Sequence, residues 1–143
     1  MAVGDAGERL LPALADLVKA MKVGPTDVRD SQPDMGAVIS SEHKTRVSGL
    51  IEAGERGGAK ILADGRSPKV DEAPEGFFLG PTLIDHVEET NPLMETEVFG
   101  PVLAVMRAKT LDDAIASANR QAFGNGAAIF TNSGKAAREF RRR

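Results

Sequence analysis

Apolar residues recur at helical spacing near the amino terminus. They are Leu10, Leu14, Leu17 and Met21, with Leu11 and Val18 beside them. Steps of three and four predict an amphipathic helix over about residues 5–22, which Gly24-Pro25 ends. Pro12 lies inside this pattern and has no amide donor. We therefore expect it to kink the helix or to mark where its regular part begins.

A second helix is predicted after a polar loop. Turn-forming residues dominate positions 25–36 and favour a surface loop. The next apolar face consists of His43, Val47, Leu50, Ile51 and Gly54. Ser40 or Ser41 can cap the start of this helix by accepting an amide hydrogen bond. The glycines at 54, 57 and 58 are expected to stop it.

Short apolar runs predict the strands. The runs are residues 60–63, 82–87, 102–106 and 127–130, with an extended segment at 77–79 and a polar loop at 64–76. The last two runs are continuously apolar, which is typical of strands buried on both faces of a parallel sheet. Gly80-Pro81 and residues 124–126 supply turns.

Two helices are predicted in the last third of the chain. Thr110 and Asp113 have the spacing of a capping box, and Leu111, Ala114, Ile115 and Ala118 follow at helical spacing. Residues 133–143 form a final basic helix. Helices that alternate with short apolar strands predict an α/β layered fold with a largely parallel sheet.

Composition narrows the class of protein. The 143 residues suit one domain, and 41% hydrophobic with 27% charged residues is typical of soluble proteins. A net charge of −3 and the absence of Trp and Tyr argue against a nucleic-acid partner, and no run resembles a membrane span. Asp5 and Glu8 stand where a signal peptide would be basic and then apolar. We expect a cytoplasmic protein.

Few side chains in this chain suggest chemistry by themselves. The sequence has no cysteine, so it offers no disulfide, no thiolate ligand and no cysteine nucleophile. His43 and His86 lie far apart without ligand spacing, so no metal site is predicted and both are interpreted as structural. Arg138 and the run at 141–143 could attract an anion, but the dipole of a last helical turn explains them better.

The segment at 94–101 differs from its surroundings. Met-Glu-Thr-Glu-Val-Phe-Gly-Pro places carboxylates and an aromatic ring directly before an apolar run. Composition alone makes it a loop that enters a sheet. A carboxylate in such a place can also accept hydrogen bonds from ligand hydroxyls, while the aromatic ring packs on a flat ligand ring.

Glu97-Val98-Phe99-Gly100-Pro101 resembles the cofactor motif of the aldehyde dehydrogenase superfamily. Further blocks match in order at residues 22–24, 78–83, 111–115 and 128–131. Residues 34–40, 58–66 and 123–126 look most like the methylmalonate-semialdehyde dehydrogenases. The resemblance implies a three-layer αβα fold with a mostly parallel sheet.

The resemblance also implies a cofactor site. Glu97 would accept hydrogen bonds from the nicotinamide ribose of NAD, and Phe99 would pack against its nicotinamide end. Residues aligned with His43 and Arg46 approach the cofactor in some relatives, but these two differ from the common residues and are left out of the predicted site. The implied parent is a homo-oligomer that oxidises methylmalonate or malonate semialdehyde through a thioester, with coenzyme A as acyl acceptor.

One departure from the family decides what the chain itself can do. In the family a cysteine thiolate attacks the aldehyde, and this sequence has no cysteine. By the resemblance, that cysteine and the cofactor-binding domain would precede Met1. We therefore predict that residues 1–143 are a partial catalytic domain without catalytic residues of its own, inactive alone. The alternatives are a truncated interaction or self-associating module and a decayed gene product.

Overall fold

The computed structural model describes residues 1–27 and 32–143. The elements in chain order are β1 (Ala2–Val3), α1 (Ala6–Ala20), α2 (Ser41–Arg56), β2 (Lys60–Ala63), β3 (Thr82–Asp85), α3 (Pro92–Glu95), β4 (Val102–Ala104), β5 (Arg107–Ala108), α4 (Leu111–Arg120) and α5 (Gly134–Arg142). Helices and strands are mixed along the chain, but they do not alternate strictly as predicted, because several elements follow another of the same kind. Elements β1, β5 and α3 were too short to leave a periodic signal.

Strand β3 is the centre of the fold. It pairs antiparallel with β2 and parallel with β4, where Thr82 lies opposite Val102. Strands β1 and β5 form a separate parallel pair. Two of these three pairings are parallel, as expected for a mostly parallel sheet.

The two faces of β3 belong to two different apolar clusters. Leu83 packs with Leu11 and Ala15 of α1, whereas Ile84 packs with Val47 and Ile51 of α2. Successive side chains of a strand point to opposite faces, so α1 and α2 must cover opposite sides of the sheet. This arrangement confirms the three-layer αβα prediction.

Helix α1 buries only part of the predicted apolar stripe. Its buried residues are Gly7, Leu11 and Ala15. Leu14 and Val18 of the stripe also pack against the core, but Leu10 and Leu17 are 56% and 66% exposed. Small residues face the sheet because space there is limited. A Cβ on Gly7 would lie 1.6 Å from Nη1 of Arg107.

Pro12 neither begins nor ends α1. The helix starts at Ala6 and continues through Pro12 to Ala20. A proline removes only its own amide bond, and packing of the buried face against the sheet retains the helix around it. The predicted loop at 25–36 lies partly outside the described residues. Its last part returns to α1's end, where Val23 bridges Met35.

Helix α2 is capped as predicted and ends in the predicted glycine region, with Gly57 as its C-cap. The Ser40 hydroxyl accepts a hydrogen bond from the His43 amide at 3.2 Å. Gly54 does not stop the helix, which continues to Arg56. A Cβ on Gly54 would lie 2.3 Å from Cδ1 of Leu93, so this glycine lets α3 pack against α2.

The predicted strand at 127–130 is absent, and Phe130 is 99% exposed. A short apolar run becomes a strand only when a neighbour supplies its hydrogen bonds, and no strand in the described ranges pairs with it. The run at 102–106 is also less buried than predicted. Strand β4 ends at Ala104, and Leu103 is 49% exposed.

The carboxyl-terminal helices follow their local signals. Thr110 and Asp113 form the predicted capping box, with the Asp113 amide 3.1 Å from the Thr110 hydroxyl oxygen. Ser133 caps α5 through the Ala136 amide. Among the helices that the structure describes, none has the length and apolar character needed to cross a membrane.

Candidate cofactor site

The loop between α3 and β4 carries the predicted site residues. At one end, buried Asn91 accepts a hydrogen bond from the Leu93 amide and donates one to the Gly54 carbonyl, which fixes α3 to α2. At the other end, the Thr82 amide donates to the Pro101 carbonyl at 2.8 Å, which fixes the start of β4. The segment at 96–101 is therefore held from both sides.

Two side chains of α2 hold the middle of this loop. Arg46 donates from Nη2 to the Glu97 carbonyl at 2.7 Å and from Nη1 to the Val98 carbonyl at 2.8 Å. Nε2 of His43 lies 2.8 Å from the Phe99 carbonyl oxygen and donates to it. Because these bonds use only backbone oxygens of the loop, they leave the side chains of Glu97 and Phe99 available to a ligand.

Gly100 brings the loop close to α2. A Cβ at this position would lie 2.9 Å from Cγ2 and 3.0 Å from Cγ1 of Val47, closer than side chains normally approach. Val47 is fully buried and cannot move aside easily. Glycine is thus required by the contact between loop and helix.

Phe99 adopts an unusual backbone conformation. Its φ is +52°, in the left-handed region that few residues other than glycine occupy. Its side chain is 76% exposed, so burial of the ring does not explain the strain. Residues held in such conformations cluster at functional sites, where surrounding contacts fix them. Here the neighbouring contacts are those of His43 and Gly100.

These residues surround one open groove with a volume of about 580 Å³. It is lined by Ile39, His43, Arg46, Thr96, Glu97, Phe99 and Phe123. The structure thus brings the predicted Glu97 and Phe99 together, along with His43 and Arg46, which the sequence prediction left out. Their three-residue spacing, about one helical turn, places them next to each other on α2, and this is the signal that could have included them.

The chemistry of the groove fits the nicotinamide end of a dinucleotide. Glu97 offers a solvent-exposed carboxylate, which can accept hydrogen bonds from a pair of sugar hydroxyls. Phe99 and Phe123, which is 49% exposed, offer aromatic surface for a flat ring. Within residues 1–27 and 32–143, no three potential metal-binding side chains cluster together.

A partly buried ion pair lies outside the groove and joins β3 to β5. Arg107 donates from Nε to Oδ1 of Asp85 at 2.8 Å and from Nη2 to Oδ2 at 2.7 Å. These hydrogen bonds hold the pKa of Asp85 below its usual value, against the opposing effect of burial. The pair is structural, because both partners satisfy each other away from the candidate site.

Comparison with known proteins identifies the family. The model of the aldehyde dehydrogenase family matches residues 3–143. A mouse methylmalonate-semialdehyde/malonate-semialdehyde dehydrogenase (acylating, mitochondrial) is 43% identical over 96% of this chain and 25% of its own length.

Solved structures of members of this family are similar to the chain over nearly its whole length. A methylmalonate-semialdehyde dehydrogenase from Oceanimonas doudoroffii superposes with a TM-score of 0.92 at 44% identity, over 98% of this chain and 28% of that one. A betaine aldehyde dehydrogenase from Staphylococcus aureus, in complex with NAD+, gives a TM-score of 0.86 at 29% identity, over 99% and 28%.

The chain spans only 26% and 28% of the length of two curated relatives that it matches, from Drosophila melanogaster and Oceanobacillus iheyensis. Within that span the match is nearly continuous, and it includes the loop at 96–101 and the helix that holds it. By sequence and by structure, this chain belongs to the aldehyde dehydrogenase family.

Proposed function

We propose that this chain forms the nicotinamide-facing wall of an NAD-dependent aldehyde dehydrogenase. One observation supports this above the others: Arg46 and His43 bind only the backbone of the loop, so Glu97 and Phe99 present their side chains to a common groove. In this proposal residues 1–143 are a partial catalytic domain whose cofactor-binding domain and nucleophile lie elsewhere.

Each residue of the groove has a distinct role in the proposal. Glu97 accepts hydrogen bonds from the nicotinamide ribose hydroxyls, and Phe99 packs against the nicotinamide end. His43 and Arg46 are positioning residues that act through the loop backbone. Bound NAD supplies the hydride acceptor of the reaction. The chain's own contribution is to orient that acceptor, and orientation is a large part of catalysis in such sites.

We further propose that the parent enzyme oxidises methylmalonate or malonate semialdehyde. The names of the relatives support this substrate class, and the mouse relative is described as acylating, which fits transfer of the acyl group to coenzyme A. A homo-oligomer and a cytoplasmic location stay predictions for this chain. The mouse relative is named as mitochondrial, which leaves the compartment to be measured.

The chain alone is proposed to be inactive. Covalent oxidation of an aldehyde in this family begins with a thiolate, and the sequence contains no cysteine. The purified chain, incubated with NAD, coenzyme A and malonate semialdehyde, should form no NADH. Formation of NADH above a protein-free blank would contradict this part of the proposal.

A binding experiment tests the groove itself. Nicotinamide mononucleotide carries the end of the cofactor that Glu97 and Phe99 would contact, whereas adenosine monophosphate does not. We expect the former to shift NMR signals of residues 96–101 and the latter to leave them unchanged. Glu97→Ala should abolish the shifts, while the control Glu95→Ala, outside the groove, should preserve them. Equal shifts with both nucleotides would reject the assignment.

A second candidate function is a self-associating module without enzymatic role. It is favoured by exposed apolar side chains on α1, among them Leu10 and Leu17. Contiguous exposed apolar surface marks interaction sites. This candidate uses the face of the molecule opposite to the groove, so the two functions can be tested separately.

A further inference from the structure

Helix α1 has an outer face that is entirely apolar. At about 100° per residue, six side chains fall within an arc of about 120°. They are Ala6, Leu10, Ala13, Leu14, Leu17 and Ala20, and they are called the outer face of α1 below. All charged residues of the helix lie outside this arc. Met21 continues the face past the helix end and is 37% exposed.

The outer face has the spacing of a helix-pairing surface. Leu10, Leu14, Leu17 and Met21 follow steps of four, three and four, which is the repeat of an apolar seam between two helices. Leu14 is half-buried against the core, so Leu10, Leu17 and Met21 supply the exposed part of this seam. Ala6, Ala13 and Ala20 recur every seven residues beside that seam. Small side chains at such positions let two helix backbones approach closely.

Charges at the edge of the outer face indicate the direction of pairing. Arg9 and Asp16 are both exposed and lie next to the alanine line. In a parallel pair of identical helices, the edge that carries Arg9 and Asp16 lies on opposite sides of the seam in the two copies, so Arg9 does not meet Asp16. In an antiparallel pair that crosses at Ala13, Arg9 of each copy lies near Asp16 of the other, and Leu10 lies beside Leu17. Antiparallel helix dipoles also attract each other.

We propose that two copies of this chain associate through the outer faces of α1, antiparallel and crossing at Ala13. The inference rests on the second candidate function and is independent of the cofactor groove. Helix α1 spans about 22 Å, so the paired surface is small compared with standard interfaces of about 800 Å² per partner. The dimer is therefore weak, and its population depends on protein concentration.

Sedimentation velocity over a range of concentrations tests the interface. The unmodified chain should shift from monomer to dimer as concentration rises. Leu17→Glu places a carboxylate in the seam on both copies and should raise the dissociation constant by about tenfold or more. Phe130→Glu changes an even more exposed apolar residue outside α1 and serves as the matched control, with no expected effect.

Charge reversal tests the orientation. Arg9→Asp and Asp16→Arg should each weaken the dimer, because each places like charges together at both ends of the crossing. The double variant restores opposite charges and should recover most of the affinity. Arg9 also contacts Asp5 of its own chain at 3.3 Å. The double variant is therefore compared with each single variant.

Disulfide trapping tests the crossing point, since the chain contains no cysteine. Ala13→Cys should form a cross-linked dimer on mild oxidation. Ala6→Cys alone should not, but a mixture of Ala6→Cys and Ala20→Cys should form the mixed dimer. Cross-linking of Ala6→Cys to itself would overturn the antiparallel arrangement. If Phe130→Glu weakened the dimer and Leu17→Glu did not, the chain would self-associate through a surface other than α1. A monomer at every concentration would reject both the α1 interface and self-association.

Discussion

Nε2 of His43 lies 2.8 Å from the carbonyl oxygen of Phe99 and joins two residues 56 positions apart in the chain. This bond fixes the backbone of a residue whose φ is +52°. The α2 helix therefore helps to hold the backbone from which the Phe99 ring projects. A side chain outside the family motif thus contacts the backbone inside it.

His43→Ala should release that conformation. Loss of one hydrogen bond is expected to lower the free energy of unfolding by about 0.5–1.5 kcal/mol. It should also weaken the NMR shifts that nicotinamide mononucleotide causes at Phe99. His43→Gln retains an amide donor and should recover part of the effect. Thr45→Ala, an exposed change on the same helix, is the control. Unchanged ligand shifts in His43→Ala would show that the bond does not position the ring.

Arg46 should not be replaceable by lysine. Its guanidinium donates to two adjacent carbonyls, those of Glu97 and Val98, and an ammonium group cannot reproduce this planar pair of donors. Because Arg46 is exposed, we expect Arg46→Lys to cost only about 1 kcal/mol. The clearer effect should be faster amide hydrogen exchange across 96–101. Exchange as slow as in the unmodified chain would contradict the two-carbonyl role.

Gly100→Ala and Gly49→Ala should change stability in opposite directions. The added Cβ at Gly100 meets Val47 at 2.9 Å, and overpacking of this kind costs about 1–3 kcal/mol. Gly49 lies inside α2 with no atom within 4 Å of an added Cβ. There, alanine should stabilise the helix by about 0.5–1 kcal/mol. Urea unfolding of both variants measures the difference, and a neutral Gly100→Ala would show that the loop can move away from α2.

The Asp85–Arg107 pair should make the fold sensitive to acid. The hydrogen bonds from Arg107 lower the pKa of Asp85 in the folded state below the value in the unfolded chain. Its stabilising contribution is therefore complete above the unfolded pKa of about 3.9 and is lost as the pH falls through the lower, folded pKa. Urea midpoints measured from neutral to acidic pH should fall less steeply for Asp85→Asn than for the unmodified chain. Identical slopes would show that Asp85 does not contribute to the acid sensitivity of the fold.

Local signals in the sequence predicted local structure well. The capping box of Thr110 and Asp113 needs residues only three apart, and it starts α4 where predicted. Ser40 likewise caps α2. Strands depend on distant partners and were predicted unevenly. β2, β3 and β4 lie within the predicted runs, but the last predicted strand is absent. Residues 127–130 have the composition of a strand but lack a paired neighbour in the described part of the chain, and Phe130 is exposed.

The candidate site also contains residues that the sequence predicted and residues that it did not. Glu97 and Phe99 were predicted through the family motif, and their role toward NAD stays a prediction. Helical spacing could place Arg46 beside His43 but could not show its contacts with the motif, because its hydrogen bonds reach carbonyls about fifty positions away. The exposed face of α1 was misread for a related reason. Size alone suggested that Leu17 was buried, whereas the limited space beside the sheet selected Gly7 and Ala15.

Strand β3 makes the two halves of the core interdependent. Leu83 and Ile84 are adjacent in the chain, both are fully buried, and each belongs to a different apolar cluster. Neither cluster can melt while the other persists, because both require the same four residues to remain extended. The chain should therefore unfold cooperatively, with one denaturant midpoint whether the transition is observed from α1 or from α2.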